Sequence, residues 1–304
     1  MVSERIIFFG SPAFTVSTLK ALLDAHRNVV AVVTKPDKPL SPHVKVFAQQ
    51  ANIPVYQPAS LRNGSFLTIF KESAPDICVV IAYGKIFPAE YLAVPKFGFL
   101  NIHFSLLPAY RGPSPLQTAI LNGEKESGVT LAMLAPEVDS GPIIAQIKLP
   151  IPHDKYFPEL LSYYAEQGNK LLIDSLGGYI TRALLPQSQD HAKATFTKII
   201  TRDDARINWS KSAEEIYNRI RALNPEPGTW TLFGNKTLKI SRAHIVSGDT
   251  TGQTGLVGKT NGIIAIEAGE GLLAPDVIQL EGKKAMDIKT FADGHSSFLG
   301  STLA

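Results

Sequence analysis

The sequence lacks the cysteine pairs that stabilise very small proteins through disulfides and the long apolar runs that anchor a protein in a membrane. It contains one cysteine, which excludes a disulfide within the chain, and no apolar run reaches the roughly 20 residues that a membrane-spanning helix needs. Residues 1–5 lead directly into a short apolar stretch, without the pattern of a signal peptide. A single cysteine is typical of a reducing compartment, and we expect a soluble cytoplasmic protein.

Three common cofactor motifs are missing as well. Gly10-Ser11-Pro12 ends the first predicted strand, but the other glycines of the dinucleotide fingerprint are absent, and Pro12 stands where a pyrophosphate would approach. There is no P-loop, and His, Cys, Asp and Glu do not cluster at metal-ligand spacing. The sequence therefore argues against nicotinamide, flavin and metal chemistry.

The charge of the chain is weakly positive overall but unevenly distributed. A net charge of +3 does not by itself indicate a nucleic-acid partner. Residues 193–242, however, hold ten basic and five acidic side chains, whereas residues 243–304 hold four basic and seven acidic ones. Such a difference is typical of solvated surface, and it is also what a polyanion-binding face would show.

The first half of the chain alternates short apolar runs with helical patterns, which predicts a parallel sheet covered by helices. The run that contains Cys78 is apolar throughout, so we expect this cysteine in the core. We expect a Rossmann-like, mostly parallel α/β domain over residues 1–183. Strands are predicted at residues 5–9, 28–33, 76–82, 97–103 and 129–134, and helices at about residues 14–23, 44–51 and 157–182.

The pattern changes after Leu185, where a polar stretch without periodicity predicts a linker over residues 184–202. One helix follows, and five short strands punctuated by glycines come after it. Strands of this length and spacing favour a small open barrel, and we expect an OB-like β-barrel domain over residues 203–304. The predicted helix covers residues 212–223, and the strands cover residues 229–233, 237–244, 255–258, 263–268 and 271–280.

Asn101 and His103 form the most informative pair in the sequence. They are two residues apart at the end of a predicted strand, so both side chains project from one face. In an open α/β sheet the carboxyl ends of strands face the ligand crevice, and we expect Asp139, which follows the next strand, to reach His103 there. Alone, the histidine would be a structural residue and the asparagine a turn former; together, the three groups predict an acyl-transfer site.

The chemistry of acyl transfer assigns a role to each group. An attacking nucleophile loses a proton, and an imidazole, which titrates near neutrality, can accept it. Asp139, hydrogen-bonded to the second ring nitrogen, would fix the tautomer of His103 and stabilise the imidazolium. The amide of Asn101 can donate a hydrogen bond to the oxyanion that develops on the acyl group.

Several motifs beyond these three residues resemble those of the 10-formyltetrahydrofolate-dependent formyltransferases, and the resemblance runs almost end to end. Within that family the chain is similar to the branch that acts on methionyl-tRNA, as judged by residues 35–39, 205–210, 220–225 and 282–286. The family motifs are Asn101-Ile102-His103, Ser105-Leu106-Leu107-Pro108, Tyr110-Arg111-Gly112 and Asp139-Ser140-Gly141.

The resemblance implies a reaction in which the formyl group of 10-formyltetrahydrofolate moves to the α-amine of methionyl initiator tRNA, for use in translation initiation. It assigns catalysis to Asn101, His103 and Asp139 and requires no metal. It implies a monomer with a carboxyl-terminal domain that binds tRNA. It places the folate against Ser105, Leu106, Leu107, Pro108, Tyr83 and Gly84, and the tRNA contacts that we expect are Lys38, Arg111, Lys198, Arg202, Arg206 and Arg221.

The sequence departs from the family pattern at three points. Residues 40–43, after Pro39, stand where the family has a longer basic loop that contacts the acceptor end of the tRNA; either the contact is absent or a segment is missing from the sequence. Phe104 replaces a small residue or proline, and Pro142 replaces an acidic residue. Both adjoin the predicted site.

Three other functions are compatible with the same motifs. The acceptor could be an amino-sugar nucleotide, the enzyme could hydrolyse the formyl donor and release formate, or the chain could bind folate or tRNA without catalysis. The first two are distinguished by offering each acceptor separately, and the third by binding without turnover.

Overall fold

The computed structural model describes residues 4–38, 40–62 and 64–304. Pro39, which ends the Lys-Pro-Asp-Lys-Pro element, lies outside the described residues. The chain forms two compact units. The first is made of residues up to Pro115 together with Glu126–Pro150 and Leu161–Thr197, and the second of Leu116–Lys125, Ile151–Leu160 and Lys198–Ala304.

The first unit is built on a seven-stranded sheet. Its strands are β1 (Ile6–Gly10), β2 (Val29–Val33), β3 (Val55–Tyr56), β4 (Ile77–Ile81), β5 (Phe99–His103), β6 (Glu126–Met133) and β7 (Ile143–Pro150). Their order is β3-β2-β1-β4-β5-β6-β7. The first five are parallel, whereas β6 is antiparallel to both β5 and β7. The prediction of a mostly parallel sheet is confirmed.

The central strands form because their residues are apolar along their whole length. Every residue of β1 and of β4 is buried, as expected for parallel strands that are covered on both faces. Cys78 of β4 is a free, fully buried thiol within this core, as predicted. Its neighbours in one apolar cluster include Ile7, Phe9, Val33 and Phe99.

Helices lie between these strands along the chain or follow them. They are α1 (Val16–Asp24), α2 (His43–Gln50), α3 (Leu67–Glu72), α4 (Ala89–Leu92), α5 (Pro115–Leu121) and α6 (Phe157–Ile180). We predicted α1, α2 and α6 from their apolar spacing. The short helices α3, α4 and α5 were not predicted, and neither were the strands β3 and β7. None of the helices in the described residues is both long and apolar enough to cross a membrane.

The second unit combines the helix α7 (Ala213–Leu223) with an antiparallel sheet. Its strands are β8 (Trp230–Phe233), β9 (Lys236–Val246), β10 (Val257–Thr260), β11 (Ile263–Glu267), β12 (Leu272–Leu280) and β13 (Met286–Asp287), followed by α8 (Ile288–Gly294). The sheet order is β10-β11-β12-β9-β8, and β13 pairs with β12. The five predicted strands are all present; β13 and α8 were not predicted.

The amino-terminal end of α7 explains where this helix begins. The Ser212 hydroxyl accepts from the backbone N–H of Glu215, and the Glu215 carboxylate accepts from the backbone N–H of Ser212. This reciprocal capping satisfies main-chain groups that a helix otherwise leaves unpaired. Ile216 and Ile220 then enter an apolar cluster that also contains Ile240 and Ile266 of the sheet.

Candidate active site

Asn101 and His103 lie on β5 with their side chains on one face of the strand. The intervening Ile102 belongs to the opposite face, where its Cγ2 lies near Gly168 of α6. His103 is 5% exposed and Asn101 is half-buried. Main-chain pairing fixes the two residues in place, since Asn101 pairs with Val80 of β4 and Ala132 of β6, and His103 pairs with Thr130 of β6.

Asp139 lies close to this pair, as predicted, but the strand that precedes its loop runs in the direction opposite to the predicted one. We expected it at the carboxyl end of a parallel neighbour of β5. Instead β6 is antiparallel, so its last residue, Met133, pairs with Leu100 near the start of β5. The loop that follows β6 carries the chain back, and it places Oδ2 of Asp139 3.6 Å from Nδ1 of His103. The predicted proximity is therefore present, but the strand direction behind it was wrong.

The tautomer of His103 is set by a main-chain group that the sequence did not indicate. Nε2 of the ring lies 2.9 Å from the carbonyl oxygen of Tyr110. A carbonyl only accepts, so Nε2 carries the hydrogen and the neutral ring has its lone pair on Nδ1. We predicted that a hydrogen bond from Asp139 would fix the tautomer; the Tyr110 carbonyl does so instead, and the carboxylate faces the basic nitrogen.

The Asp139 carboxylate is held by two donors. The backbone N–H of Gly112 donates to Oδ2 at 2.8 Å, and Nδ2 of Asn101 donates to Oδ1 at 3.4 Å. An amide nitrogen carries two hydrogens, so Asn101 can donate one to Asp139 and the other to a reacting group. The three predicted groups thus form one connected cluster at the end of β5.

The loop Ser105-Leu106-Leu107-Pro108 continues directly from β5 and is fixed from behind. The Ser105 hydroxyl is fully buried and donates to the carbonyl of Ala109 at 2.6 Å. The backbone N–H of Leu107 donates to Thr130 Oγ1 at 3.1 Å, and its carbonyl accepts from Gln146 at 2.8 Å. Leu106 and Pro108 are half-buried. This loop can present main-chain groups and apolar side chains to a ligand, but not the Ser105 hydroxyl.

Tyr83 and Gly84 follow β4 and differ in their surroundings. The Tyr83 ring is 1% exposed and packs edge-on against Phe9 at 5.3 Å between centroids. Burial also raises the pKa of the Tyr83 phenol. Gly84 is exposed with a φ of +69°, a conformation that favours glycine. Tyr83 therefore belongs to the core, and Gly84 lies on the surface next to it.

The two unusual residues beside the site fit without displacing it. Phe104 alternates with His103, so it lies on the opposite face of β5, where its ring packs on Phe14 with centroids 5.8 Å apart. Pro142 accepts a hydrogen bond from the backbone N–H of Met133 at 2.9 Å. Phe104 thus fills the core behind the strand, and Pro142 closes the loop that carries Asp139.

Two of the expected tRNA contacts are buried. Arg111 is 3% exposed and donates to Gln189 and His191, and Arg221 is 2% exposed and donates to the carbonyls of Pro152 and Lys155. Burial lowers the pKa of the Arg221 guanidinium. Because both cations bond within the fold, we remove Arg111 and Arg221 from the predicted tRNA surface.

The other four expected contacts are exposed. In the second unit the guanidinium carbons of Arg202 and Arg206 lie 5.6 and 5.5 Å from the centre of the Trp230 ring, and Lys198 has 77% of its side chain exposed. In the first unit Lys38 lies near Lys85, whose pKa is lowered by burial and, to a smaller extent, by Lys35 and Lys38. The two arginines beside the Trp230 ring were not predicted as a cluster, because residues 229–233 were interpreted only as a strand.

No group of three or more His, Cys, Asp or Glu residues with metal-binding geometry is found in the part of the chain that the structure describes. The cluster of Asn101, His103 and Asp139 offers hydrogen-bond donors, a carboxylate and one basic nitrogen. These are the groups that acyl transfer to an amine uses.

Comparison with known proteins adds sequence matches over nearly the whole chain. The Formyl transferase family model matches residues 4–176, and the model of the formyl transferase C-terminal domain matches residues 199–296. A methionyl-tRNA formyltransferase from Acidobacterium capsulatum is 39% identical over 301 residues, which are 96% of this chain and 97% of that protein. One from Listeria innocua is 38% identical over 306 residues, 98% of both proteins.

Solved structures support the fold. An N-formyltransferase from Helicobacter canadensis, in complex with folinic acid and dTDP-3-aminofucose, superimposes with a TM-score of 0.67 at 23% identity and covers 90% of this chain and 99% of its own. HypX from Aquifex aeolicus in complex with tetrahydrofolic acid gives a TM-score of 0.67 at 14% identity and covers 95% of this chain and 47% of its own.

Proposed function

The chain belongs to the methionyl-tRNA formyltransferases, and we propose that Asn101, His103 and Asp139 carry out its reaction. The enzyme transfers the formyl group of 10-formyltetrahydrofolate to the α-amine of methionyl initiator tRNA. The observation that carries the residue assignment is the connected cluster at the end of β5, where a basic imidazole nitrogen faces a carboxylate and an amide donor lies next to both.

The reaction moves one proton as well as the formyl group. A bond forms between the amine nitrogen and the formyl carbon, and the bond from that carbon to N10 of the folate breaks. The amine loses one proton and N10 gains one. Since α-amines titrate at roughly pH 7.7 to 8, a substantial fraction of the substrate is neutral, and the enzyme needs only a weak base.

His103 is the proton acceptor in this scheme. Its Nε2–H donates to Tyr110, so the incoming proton goes to Nδ1, the nitrogen that faces Asp139. The carboxylate stabilises the imidazolium that forms. The same nitrogen can then release the proton to N10 of the leaving folate, which closes the proton balance.

Asn101 stabilises the charge that develops on the formyl oxygen. One N–H of its amide points to Asp139, which orients the group before substrate arrives. The second N–H donates to the oxyanion, in a part of the site where His103 is almost fully buried and water therefore competes weakly. Preorganised donors of this kind act on the transition state more than on the substrate.

We place the folate against Ser105, Leu106, Leu107, Pro108, Tyr83 and Gly84. The support for this position is that the loop at residues 105–108 leaves β5 immediately after His103 and is fixed by Thr130 and Gln146. Ser105 and Tyr83 would act through their main chains, because their side chains are buried. Gly84 is exposed beside them, and the Lys35 ammonium lies close to it.

We propose that residues 1–183 form the catalytic domain and residues 203–304 the tRNA-binding domain. Lys198, Arg202, Arg206 and Trp230 are the candidate tRNA face of the second unit, since Arg and aromatic rings together suit phosphates and exposed bases. Lys38 is a candidate contact near the site. The enzyme works as a monomer in the cytoplasm, where initiator tRNA is used.

The experiment that tests this function offers three acceptors separately. Methionyl initiator tRNA, an amino-sugar nucleotide and water alone are incubated with enzyme and 10-formyltetrahydrofolate, and the products are analysed by mass spectrometry. We expect one added formyl group on methionyl-tRNA, none on the sugar and no rapid release of formate. Formylation of the sugar, or formate release without an acceptor, would overturn the assignment.

A further inference from the structure

Residues 189–197, which we predicted to belong to a linker, run alongside the loop that follows β5. The backbone N–H of Arg111 donates to the carbonyl of Thr195 at 2.8 Å, and the N–H of Thr197 donates to the carbonyl of Arg111 at 2.7 Å. The N–H of Tyr110 donates to the Thr195 hydroxyl at 2.8 Å. This stretch is therefore part of the wall of the site.

Gln189 is the buried polar residue of this stretch, with 6% of its surface exposed. Its Nε2 donates to the carbonyls of Asp139 at 2.8 Å and Gly141 at 2.7 Å. Its Oε1 accepts from Nε of Arg111 at 3.1 Å and from Nη2 at 2.6 Å. Both amide hydrogens and the amide oxygen are thus in use, so the side chain has one favourable orientation.

The groups joined by Gln189 lie next to both partners of the His103 ring. On one side are the carbonyls of the Asp139 turn, and Asp139 faces Nδ1 of the ring. On the other side is Arg111, whose preceding residue, Tyr110, supplies the carbonyl at Nε2. A single amide therefore connects the two segments that hold the imidazole.

The Asp139 turn needs such support because its backbone is strained. Asp139 has a φ of +51°, in the left-handed region that costs a non-glycine residue free energy. Two hydrogen bonds from one amide hold the carbonyls of Asp139 and Gly141 within the turn. Without them the turn can relax, and the carboxylate moves with it.

We propose that Gln189 is a positioning residue for formyl transfer, which keeps the Asp139 carboxylate opposite Nδ1 of His103. It does not touch the substrates and acts through Asp139. The inference rests on the proposed roles of His103 and Asp139, and it adds a residue to the reaction from a stretch outside the family motifs at residues 101–112 and 139–141.

Gln189→Glu tests the proposal with little change in shape. The introduced carboxylate still accepts from Arg111, so the buried cation keeps a partner, but it cannot donate to the carbonyls of Asp139 and Gly141. We expect kcat to fall by about 10- to 100-fold, the effect of a small displacement of a reacting group. KM for both substrates should be unchanged. Rates are normalised to the fraction of enzyme that binds folate, which removes any unfolded protein from the comparison.

Gln187→Glu is the matched control. It is the same chemical change two residues away, on a side chain that is exposed, and we expect it to leave kcat unchanged. A kcat for Gln189→Glu equal to that of the control would overturn the proposal.

A double-mutant cycle with Asp139→Asn distinguishes positioning from general support of the fold. If Gln189 acts through Asp139, adding Gln189→Glu to Asp139→Asn should lower kcat little further. Fully multiplicative effects would overturn the proposal while leaving the catalytic role of Asp139 intact. Normal activity of Asp139→Asn alone would overturn that catalytic role, and the positioning role with it.

Discussion

The carboxylate of Asp139 lies 3.6 Å from Nδ1 of His103, the ring nitrogen that Tyr110 leaves without a hydrogen. The basic nitrogen of the site is therefore the one next to the negative charge. In the proposed mechanism a proton taken from the substrate would end between these two side chains, which are 6% and 11% exposed. This relationship determines what substitutions in the cluster should do.

Replacing Asp139 by asparagine should lower kcat by about two orders of magnitude or more. The introduced amide can donate a hydrogen bond to Nδ1 of His103, so this nitrogen is less available to accept a proton from the substrate. A neutral amide also cannot stabilise an imidazolium. Steady-state kinetics with both substrates measure the effect. Glu137→Gln is the control, since Glu137 lies in the same loop and is exposed, and it should leave kcat nearly unchanged. Retention of most activity in Asp139→Asn would remove this carboxylate from the mechanism.

Replacing Asn101 by alanine should lower kcat by roughly 100- to 1000-fold, because it removes the oxyanion donor. KM for folate should change little, since the donor acts mainly on the transition state. Folate binding by fluorescence and the thermal unfolding curve serve as controls for an intact fold. A nearly normal kcat would show that another group stabilises the oxyanion.

Replacing Arg202 and Arg206 together should lower the affinity for tRNA. It should also make that affinity depend less steeply on salt concentration. Each cation that contacts a phosphate contributes about one unit to the slope of log Kd against log salt concentration. We expect the slope to fall by about 2 in the double alanine variant, measured by filter binding. Lys259→Ala is the control, an exposed cation on β10 at the opposite edge of the sheet from Trp230. Folate affinity should not depend on salt in either protein.

Two glycines of α6 should respond to alanine in opposite directions. A Cβ at Gly168 would lie 2.9 Å from Cγ2 of Ile102 on β5, whereas a Cβ at Gly177 meets its first neighbour only at 4.0 Å. Gly168→Ala should destabilise the protein by about 1–3 kcal/mol through overpacking and reduce activity by displacing β5. Gly177→Ala should stabilise it by about 0.5–1 kcal/mol. Urea unfolding compares the two, and a stabilising Gly168→Ala would contradict the packing.

The ion pair between Asp204 and Lys198 should stabilise the protein only above acid pH. The Lys198 ammonium, together with the N–H and hydroxyl of Thr201, lowers the pKa of Asp204 to about 2. A carboxyl whose pKa is lower in the folded state stabilises the fold above its unfolded pKa, and this contribution is lost as the pH falls from about 4 to 2. Asp204→Asn should therefore cost about 1 kcal/mol at pH 7, because Lys198 is largely exposed and solvent screens the pair.

The measurement is urea unfolding of wild type and Asp204→Asn at pH 7 and pH 3. The difference in unfolding free energy between the two proteins should shrink at the lower pH. A difference that is the same at both pH values would mean that the Asp204 charge does not contribute to stability.

The parts of the fold that the sequence predicted are those with a strong apolar pattern. The strands β1, β4 and β5 are apolar runs between turn residues, and α6 has a long apolar stripe, so their positions followed from composition. β7 mixes exposed residues with half-buried and buried ones, and it was missed because no continuous apolar run marks it. The direction of β6 was also missed, since an apolar pattern is the same in either direction.

The side-chain members of the site were predicted, but the main-chain members were not. Asn101, His103 and Asp139 have distinctive chemistry and lie in recognisable motifs. The Tyr110 carbonyl and the Gly112 N–H are groups that nearly every residue has, so only the folded loop shows what they contact. Gln189 lies in a polar stretch, where a buried glutamine is indistinguishable from an exposed one before the structure is known.

The left-handed backbone of Asp139 lowers the stability of the protein, although the side chain at this position is proposed to serve the reaction. Glycine would adopt a φ of +51° without strain, so the backbone conformation alone would favour glycine at this position. The proposed catalytic role of the carboxylate gives a reason for an aspartate in this strained backbone conformation. A variant library selected only for survival at high temperature should therefore enrich glycine at residue 139 and, as it does, lose formyl transfer.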